Sequence, residues 1–181
     1  MKRSSVHLFG ASGSGTTTLG KAICQALGWK HFDTDDFFWF DTDPPYTQER
    51  PVAERRQALA HELAQAGRWV VSGSLCGWGD VFIPDFDLAV FIHLPPQERM
   101  ARLRAREYVR FGEAIREGGA LHEQSRAFFE WAAAYDTSDQ VSRNLRKHEA
   151  WLATLPCPVL KLTNERSIQE SVRQILTAMR E

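Results

Sequence analysis

Between the strand-like run Val6-His7-Leu8-Phe9 and the segment Lys21 to Gly28 stands GASGSGTTT, residues 10–18. Three glycines in six positions are costly in an ordinary turn, because each gives up more backbone freedom on folding than any other residue. Their spacing follows G-x-x-x-x-G-K-[ST], with Gly10, Gly15 and Thr17 in register and Thr16 at the lysine position. A strand must therefore run into a glycine loop and then into a helix. In such a loop successive N–H groups point inward at an anion, and the helix N-terminus adds a favourable partial charge. Gly10, Ala11, Ser12, Gly13, Ser14, Gly15, Thr16, Thr17 and Thr18 form the candidate phosphate-binding set, and the Thr17 hydroxyl is placed for Mg²⁺. Thr16 keeps a hydrogen-bond donor and loses the lysine charge. Lys21 does not replace it, since five residues of helix carry it about 500° around the axis and about 7.5 Å along it.

The rest of the chain alternates short apolar runs with helical patterns. Strands are expected at residues 5–9, 29–32, 69–71, 88–94 and 158–162. Helices are expected at 16–27, ending at Gly28, and at 52–66, ending at Gly67. Further helices should open at Pro95-Pro96, run through much of 121–155 with a kink near Asp136, and close the chain at 167–179, where Ser167 and Glu170 have capping-box spacing. Residues 33–51 read mostly as loop. Apolar strands alternating with helices predict an α/β chain whose parallel sheet is covered on both faces, with ligands at the carboxyl ends of the strands. At 181 residues, without repeats or linker-like stretches, the chain reads as one domain, 1–181.

A net charge of −1 gives no bulk attraction to nucleic acid or an anionic membrane, and no recognition motif appears. No apolar run reaches a membrane span. Cys24, Cys76 and Cys157 have neither C-x-x-C nor ligand spacing, and the six histidines form no metal-binding pair. The expectation is a cytoplasmic protein, monomer or homodimer, with no nucleic acid and no membrane among its partners.

Phe32-Asp33-Thr34-Asp35-Asp36 closes the second expected strand. In an extended segment Asp33 and Asp35 project to one side. Beside a phosphate loop, one carboxylate can orient hydrated Mg²⁺ and the other can take a proton from a substrate hydroxyl. Asp36 reads as a helix cap or loop residue.

The loop, the Asp-Thr-Asp and the glycine turn after strand three resemble the small kinases of the nucleoside monophosphate kinase, shikimate kinase and gluconate kinase group. The distance from Thr16 to the two aspartates is close to that of shikimate kinases. The resemblance implies a three-layer P-loop NTPase fold, adenylate kinase-like in plan, with a five-stranded parallel sheet ordered 2-3-1-4-5. It implies an acceptor-binding insertion at about 34–67 and a mobile lid at about 102–125. It gives Asp33 to Mg²⁺, with Thr17, and Asp35 to the acceptor, and it makes ATP and Mg²⁺ the cofactors. Arg106 and Arg110, on one helix face with Arg102, become lid arginines that stabilise the transferring phosphoryl group.

Arg55, with Arg50 and Arg56, matches by region the arginine that holds an anionic acceptor. Ser72-Gly73 stands where nucleoside monophosphate kinases tend to carry aspartate-glycine, which separates the chain from typical adenylate kinases. Gly73, with Ser74 and Gly77, is then expected to offer backbone N–H groups to a substrate, and Asp80 is a weaker alternative acid. The aromatics Phe37, Phe38, Trp39, Phe40, Tyr46 and Trp78 either stack a ring or fill the core. Leu162 to Glu165 should approach the adenine, or Asn164 caps the last helix. The leading expectation is an ATP-dependent kinase for a hydroxylated metabolite or a nucleotide. The alternative, for which Thr16 argues, is a weak or inactive nucleotide-binding module acting as a sensor or regulatory partner.

Overall fold

The computed structural model describes residues 4–163 and 167–180. Five strands, β1 (Ser5–Gly10), β2 (Lys30–Asp33), β3 (Trp69–Ser72), β4 (Leu88–His93) and β5 (Val159–Thr163), form one parallel sheet in the order β2-β3-β1-β4-β5. Between them run α1 (Thr16–Leu27), α2 (Thr34–Phe38), α3 (Val52–Ala66), α4 (Pro96–Phe111), α5 (His122–Ala133) and α6 (Leu145–Leu152), and α7 (Ile168–Ala178) follows β5. Short 3-10 turns occupy Asp80–Asp85, Gly112–Ile115 and Ala134–Asp136.

Strand side chains alternate between two apolar layers, as a period of two requires. Val6 and Leu8 of β1, with Leu88, Val90 and Ile92 of β4, pack with Leu19 and Ile23 of α1 and Ile175 of α7. Phe9, Val71, Ala89 and Phe91 face the other way, onto Leu59 and Leu63 of α3 and Trp151 of α6. Burial on both faces explains why β1 and β4 read as nearly unbroken apolar runs. His7 lies inside the second layer, stacked between Phe9 and Phe86 and edge-on to Trp151, and burial lowers its pKa to about 3.

The expected boundaries of α1, α3 and the strands hold to within a residue or two. The Ser167–Glu170 capping box forms at the start of α7. Two expectations need correction. Residues 34–38 are helical, because the Asp33 side chain accepts the Asp35 N–H and starts a helix one residue after β2. Asp33 and Asp35 therefore do not share one side of an extended segment. The stretch 121–155 is two helices with a break at 137–144, where Asn144 caps α6 by accepting the Lys147 N–H. Asn164 and Glu165 lie outside the described residues. Among the described residues no helix is long and apolar enough to cross a membrane.

Candidate active site

The glycine loop leaves the carboxyl end of β1 and enters α1. Gly13 has φ +84° and Gly15, the residue before the helix, φ +96°. A Cβ on Gly13 would come within 2.9 Å of the Arg99 carbonyl oxygen, so both its conformation and its neighbour demand glycine. No side chain caps the first turn of α1, and no acidic residue sits in it. Its N–H groups remain available to an anion.

Thr17 Oγ1 donates to Asp33 Oδ2 at 2.7 Å, while Asp33 Oδ1 accepts from the Asp35 N–H at 3.1 Å. Asp33 thus joins the loop helix to α2. A hydroxyl and a carboxylate oxygen side by side below a phosphate loop suit a hard cation that takes its remaining ligands from phosphate and water. Among the described residues no group of three or more His, Cys, Asp or Glu side chains could hold a metal unaided.

Above the loop lies a cavity of about 460 Å³, lined by Ser12, Asp35, Arg106, Arg110, Arg143 and a wall of aromatic side chains. Asp35 is accessible to solvent within this cavity but enclosed by protein on most sides. Desolvation raises its pKa above the ordinary carboxylate value; Arg143 opposes the rise, Asp33 adds to it, and Arg106 opposes it more weakly. A carboxylate so placed is a better proton acceptor than one in water.

Of the arginines expected on α4, Arg106 and Arg110 line the cavity. Arg102 instead pairs with Glu98 on the surface, 3.4 Å away. Buried Glu107 lies between the two, 2.7 Å from the Arg106 guanidinium and 3.5 Å from that of Arg110. Phe38, Trp39, Tyr46 and Trp78 line the cavity, whereas Phe37 packs against Phe32 in the core. The aromatic side chains therefore divide between cavity lining and core, with Trp78 in both.

Two expected acceptor residues have other tasks. Arg55 is buried and does not line the cavity. Its guanidinium bonds the Arg50 carbonyl and Glu49 and lies 3.5 Å from the Phe38 ring centroid, which pins the aromatic loop to α3. Gly73 donates its N–H to the Leu8 carbonyl at 2.9 Å, so that group is not free for a substrate. Its φ is +104°, and a Cβ there would collide with Thr34 Oγ1; Gly73 is the position that lets Thr34 approach β3. The Gly77 N–H is likewise taken, by Asp80 Oδ1, which also accepts from Trp151 Nε1. That leaves Asp80 holding structure rather than facing a ligand.

The sequence reading missed Arg143, Lys147 and His148, which line the cavity, and Ser74 was read only for its backbone. Arg143 rests over the Trp131 ring at 5.5 Å, and among the described residues it makes no ion pair. The signal was present: the polar run Asp136 to Arg143 followed by Asn144 is a loop and an N-cap, which would have split the long helix and brought these side chains to its start.

The family described as an AAA domain matches residues 6–118 of this chain. The chain is 42% identical over 174 residues, 96% of each protein, to the uncharacterized protein YqaC of Bacillus subtilis (strain 168). It is 31% identical over 113 residues to the cytidylate kinase of Archaeoglobus fulgidus, an alignment covering 56% of this chain and 61% of the relative. Among solved structures, the shikimate kinase from Acinetobacter baumannii in complex with shikimate superimposes with a TM-score of 0.58 at 14% identity, covering 97% of this chain and 92% of that one.

Proposed function

Because the chain belongs to this AAA-domain family, and within it to the P-loop kinases of the nucleoside monophosphate and shikimate kinase group, we propose that it is an ATP-dependent phosphotransferase whose small-molecule acceptor carries a hydroxyl and an anionic group. The observation that carries this reading is one cavity lined by loop residue Ser12, the carboxylate of Asp35 and the guanidinium of Arg143, which makes no ion pair among the described residues.

In this reading the β- and γ-phosphates of ATP lie on residues 10–18. Thr17 and Asp33 would hold Mg²⁺, which would neutralise phosphate charge when bound. Asp35 accepts the proton of the acceptor hydroxyl as its oxygen bonds to the γ-phosphorus. The bond from that phosphorus to the bridging oxygen of ADP breaks, and ADP leaves. Arg106 and Arg110 face the charge that develops on the transferring group. They, with Arg143, are the cations that stand in for the lysine absent at Thr16. An anionic acceptor fits a cavity lined by Arg143 and Lys147 as well as Asp35.

Asp35→Ala tests the assignment in an acceptor screen that includes nucleoside monophosphates and shikimate. Turnover falls about 10²–10⁴-fold, while calorimetric MgATP affinity stays within about twofold. Thr16→Lys adds a charged donor and tightens MgATP binding about tenfold or more. The second reading, a nucleotide-binding module without transfer, is favoured by Thr16 alone. It takes precedence if wild type binds MgATP, no acceptor is turned over, and Asp35→Ala changes nothing.

A further inference from the structure

One buried side-chain chain ends in the cavity and takes no part in the transfer described above. Ser74 follows β3, His148 lies on α6, and Tyr135 sits in the 3-10 turn after α5. Ser74 Oγ is 2.9 Å from His148 Nε2, and Tyr135 Oη is 2.8 Å from His148 Nδ1. All three residues are buried, with His148 wholly so. The rings of Phe9, Phe91 and Tyr135 surround the imidazole, and Trp78 Nε1 bonds the Ser74 carbonyl at 3.1 Å.

The arrangement looks like a nucleophilic serine with its histidine, but its proton pattern is reversed. In a hydrolytic triad a carboxylate accepts from Nδ1–H, which leaves the Nε2 lone pair free to take the serine proton. Here the third group is a phenol. Burial, with Asp136 nearby, raises the Tyr135 pKa and keeps its O–H protonated. Among the described residues its one hydrogen-bond partner is His148 Nδ1. A buried O–H left without an acceptor is strongly disfavoured, so Tyr135 donates to Nδ1. The histidine remains neutral, since burial lowers its pKa to about 3 and the charges of Arg143 and His7 push the same way. Its proton is then on Nε2 and donates to Ser74 Oγ. That leaves the Ser74 O–H to point away from His148. Ser74 is no nucleophile, because nothing is free to take its proton.

We propose that Ser74 is a specificity-determining donor, its hydroxyl proton aimed into the cavity by the Tyr135–His148 relay to receive an anionic oxygen, carboxylate or phosphate, of the acceptor. Arg143 and Lys147 line the same cavity and supply the charge, while the serine supplies the direction. The identity of the bound molecule as a phosphoryl acceptor rests on the kinase reading; the direction of the relay does not.

The first test is long-range ¹H–¹⁵N correlation on histidine-labelled protein from about pH 5 to about pH 8, the window in which an unperturbed histidine titrates. The His148 signal, assigned through its loss in His148→Gln, is expected to stay neutral with its proton on Nε2. In Tyr135→Phe the Nδ1 proton should appear in a mixture of tautomers. A wild-type proton on Nδ1, or protonation in this window, overturns the relay. The second test titrates acetate into protein saturated with MgADP and follows the His148 Hε1 shift. A saturable response is expected in wild type and in Ser74→Thr, weakened about tenfold or more in Ser74→Ala, the usual scale of one hydrogen bond to a charged group. Equal responses in wild type and Ser74→Ala, or no wild-type response, overturn the assignment of Ser74. Calorimetry of MgADP with wild type is read separately. Failure to bind removes the kinase reading and leaves the tautomer result decisive for the relay.

Discussion

Arg99 is wholly buried at the start of α4. One terminal nitrogen donates to the Ala132 carbonyl at 2.8 Å, the other pairs with Asp136, and the guanidinium lies 5.2 Å from the Tyr135 ring centroid. Arg99→Met keeps much of the volume and removes the charge. Breaking a buried pair by removing one partner costs about 3–5 kcal/mol, because the other charge stays behind unpaired. The Asp136 side chain is 15% exposed and can partly rehydrate, which argues for the lower end, about 3 kcal/mol. With a urea m-value of about 2 kcal/mol/M, the unfolding midpoint should fall by about 1.5 M, followed by tryptophan fluorescence. The double variant Arg99→Met/Asp136→Leu removes both charges and should return to within about 1 kcal/mol of wild type, since apolar replacement of a buried pair is often neutral. A single-variant loss below about 1 kcal/mol, or a double variant no better than the single, would refute the argument that charge pairing rather than packing sets the cost.

Three further outcomes follow from the same structure. Gly73→Ala imposes a positive φ on alanine and drives its methyl into Thr34. A loss of about 3 kcal/mol, or about 6–12 °C in Tm, is expected by calorimetry. Adding Thr34→Ala should recover about 1–2 kcal/mol of it by removing the clash while leaving the backbone strain. His7 and His148 both have folded-state pKa values lowered from 6.5 to about 3, so the unfolded chain binds more protons between those limits. Their contribution to stability is complete above pH 6.5 and is lost as pH falls from there toward 3. Near pH 5 the two together give a slope of about 2.7 kcal/mol per pH unit, and His7→Phe should halve it in a series of urea midpoints. Asp33→Ala removes both the Thr17 partner and the cap of α2. MgATP binding should weaken while metal-free ATP binding changes little, with about 1 kcal/mol lost in stability.

What could be read from the chain itself followed the reach of each signal. The glycine loop, β1 and α1 were legible because local backbone demands and apolar runs sit in consecutive residues. The start of α2 was not, because Asp33 has to be recognised as an N-cap as well as a strand end, and one carboxylate carries both tasks. Arg106 and Arg110 were placed by helical spacing, which is local. Arg55 was assigned by region, and region cannot tell a guanidinium facing a ligand from one locked to Glu49 and Phe38. Ser74, Tyr135 and His148 lie 61 and 13 residues apart along the chain, and their hydrogen bonds exist only once α6 has packed back onto the sheet. Nothing in the local pattern around any of the three announces that meeting.

The apolar clusters are unequal. Among the described residues, each face of the sheet is packed by twelve buried side chains, whereas α4 and α5 share a satellite of three, Met100, Leu103 and Ala132. Regions with few buried contacts open locally at a fraction of the global unfolding free energy. Amide hydrogens of α5 should therefore exchange well before those of β1 and β4, and the wall that carries Arg106 and Arg110 would breathe while the glycine loop stays rigid on its strand. Arg99 spans that divide, with its backbone and Cγ against Gly13 and its guanidinium on Ala132 and Asp136. Arg99, with Leu103 beside it at Gly13, thus couples the glycine loop to the α4–α5 layer.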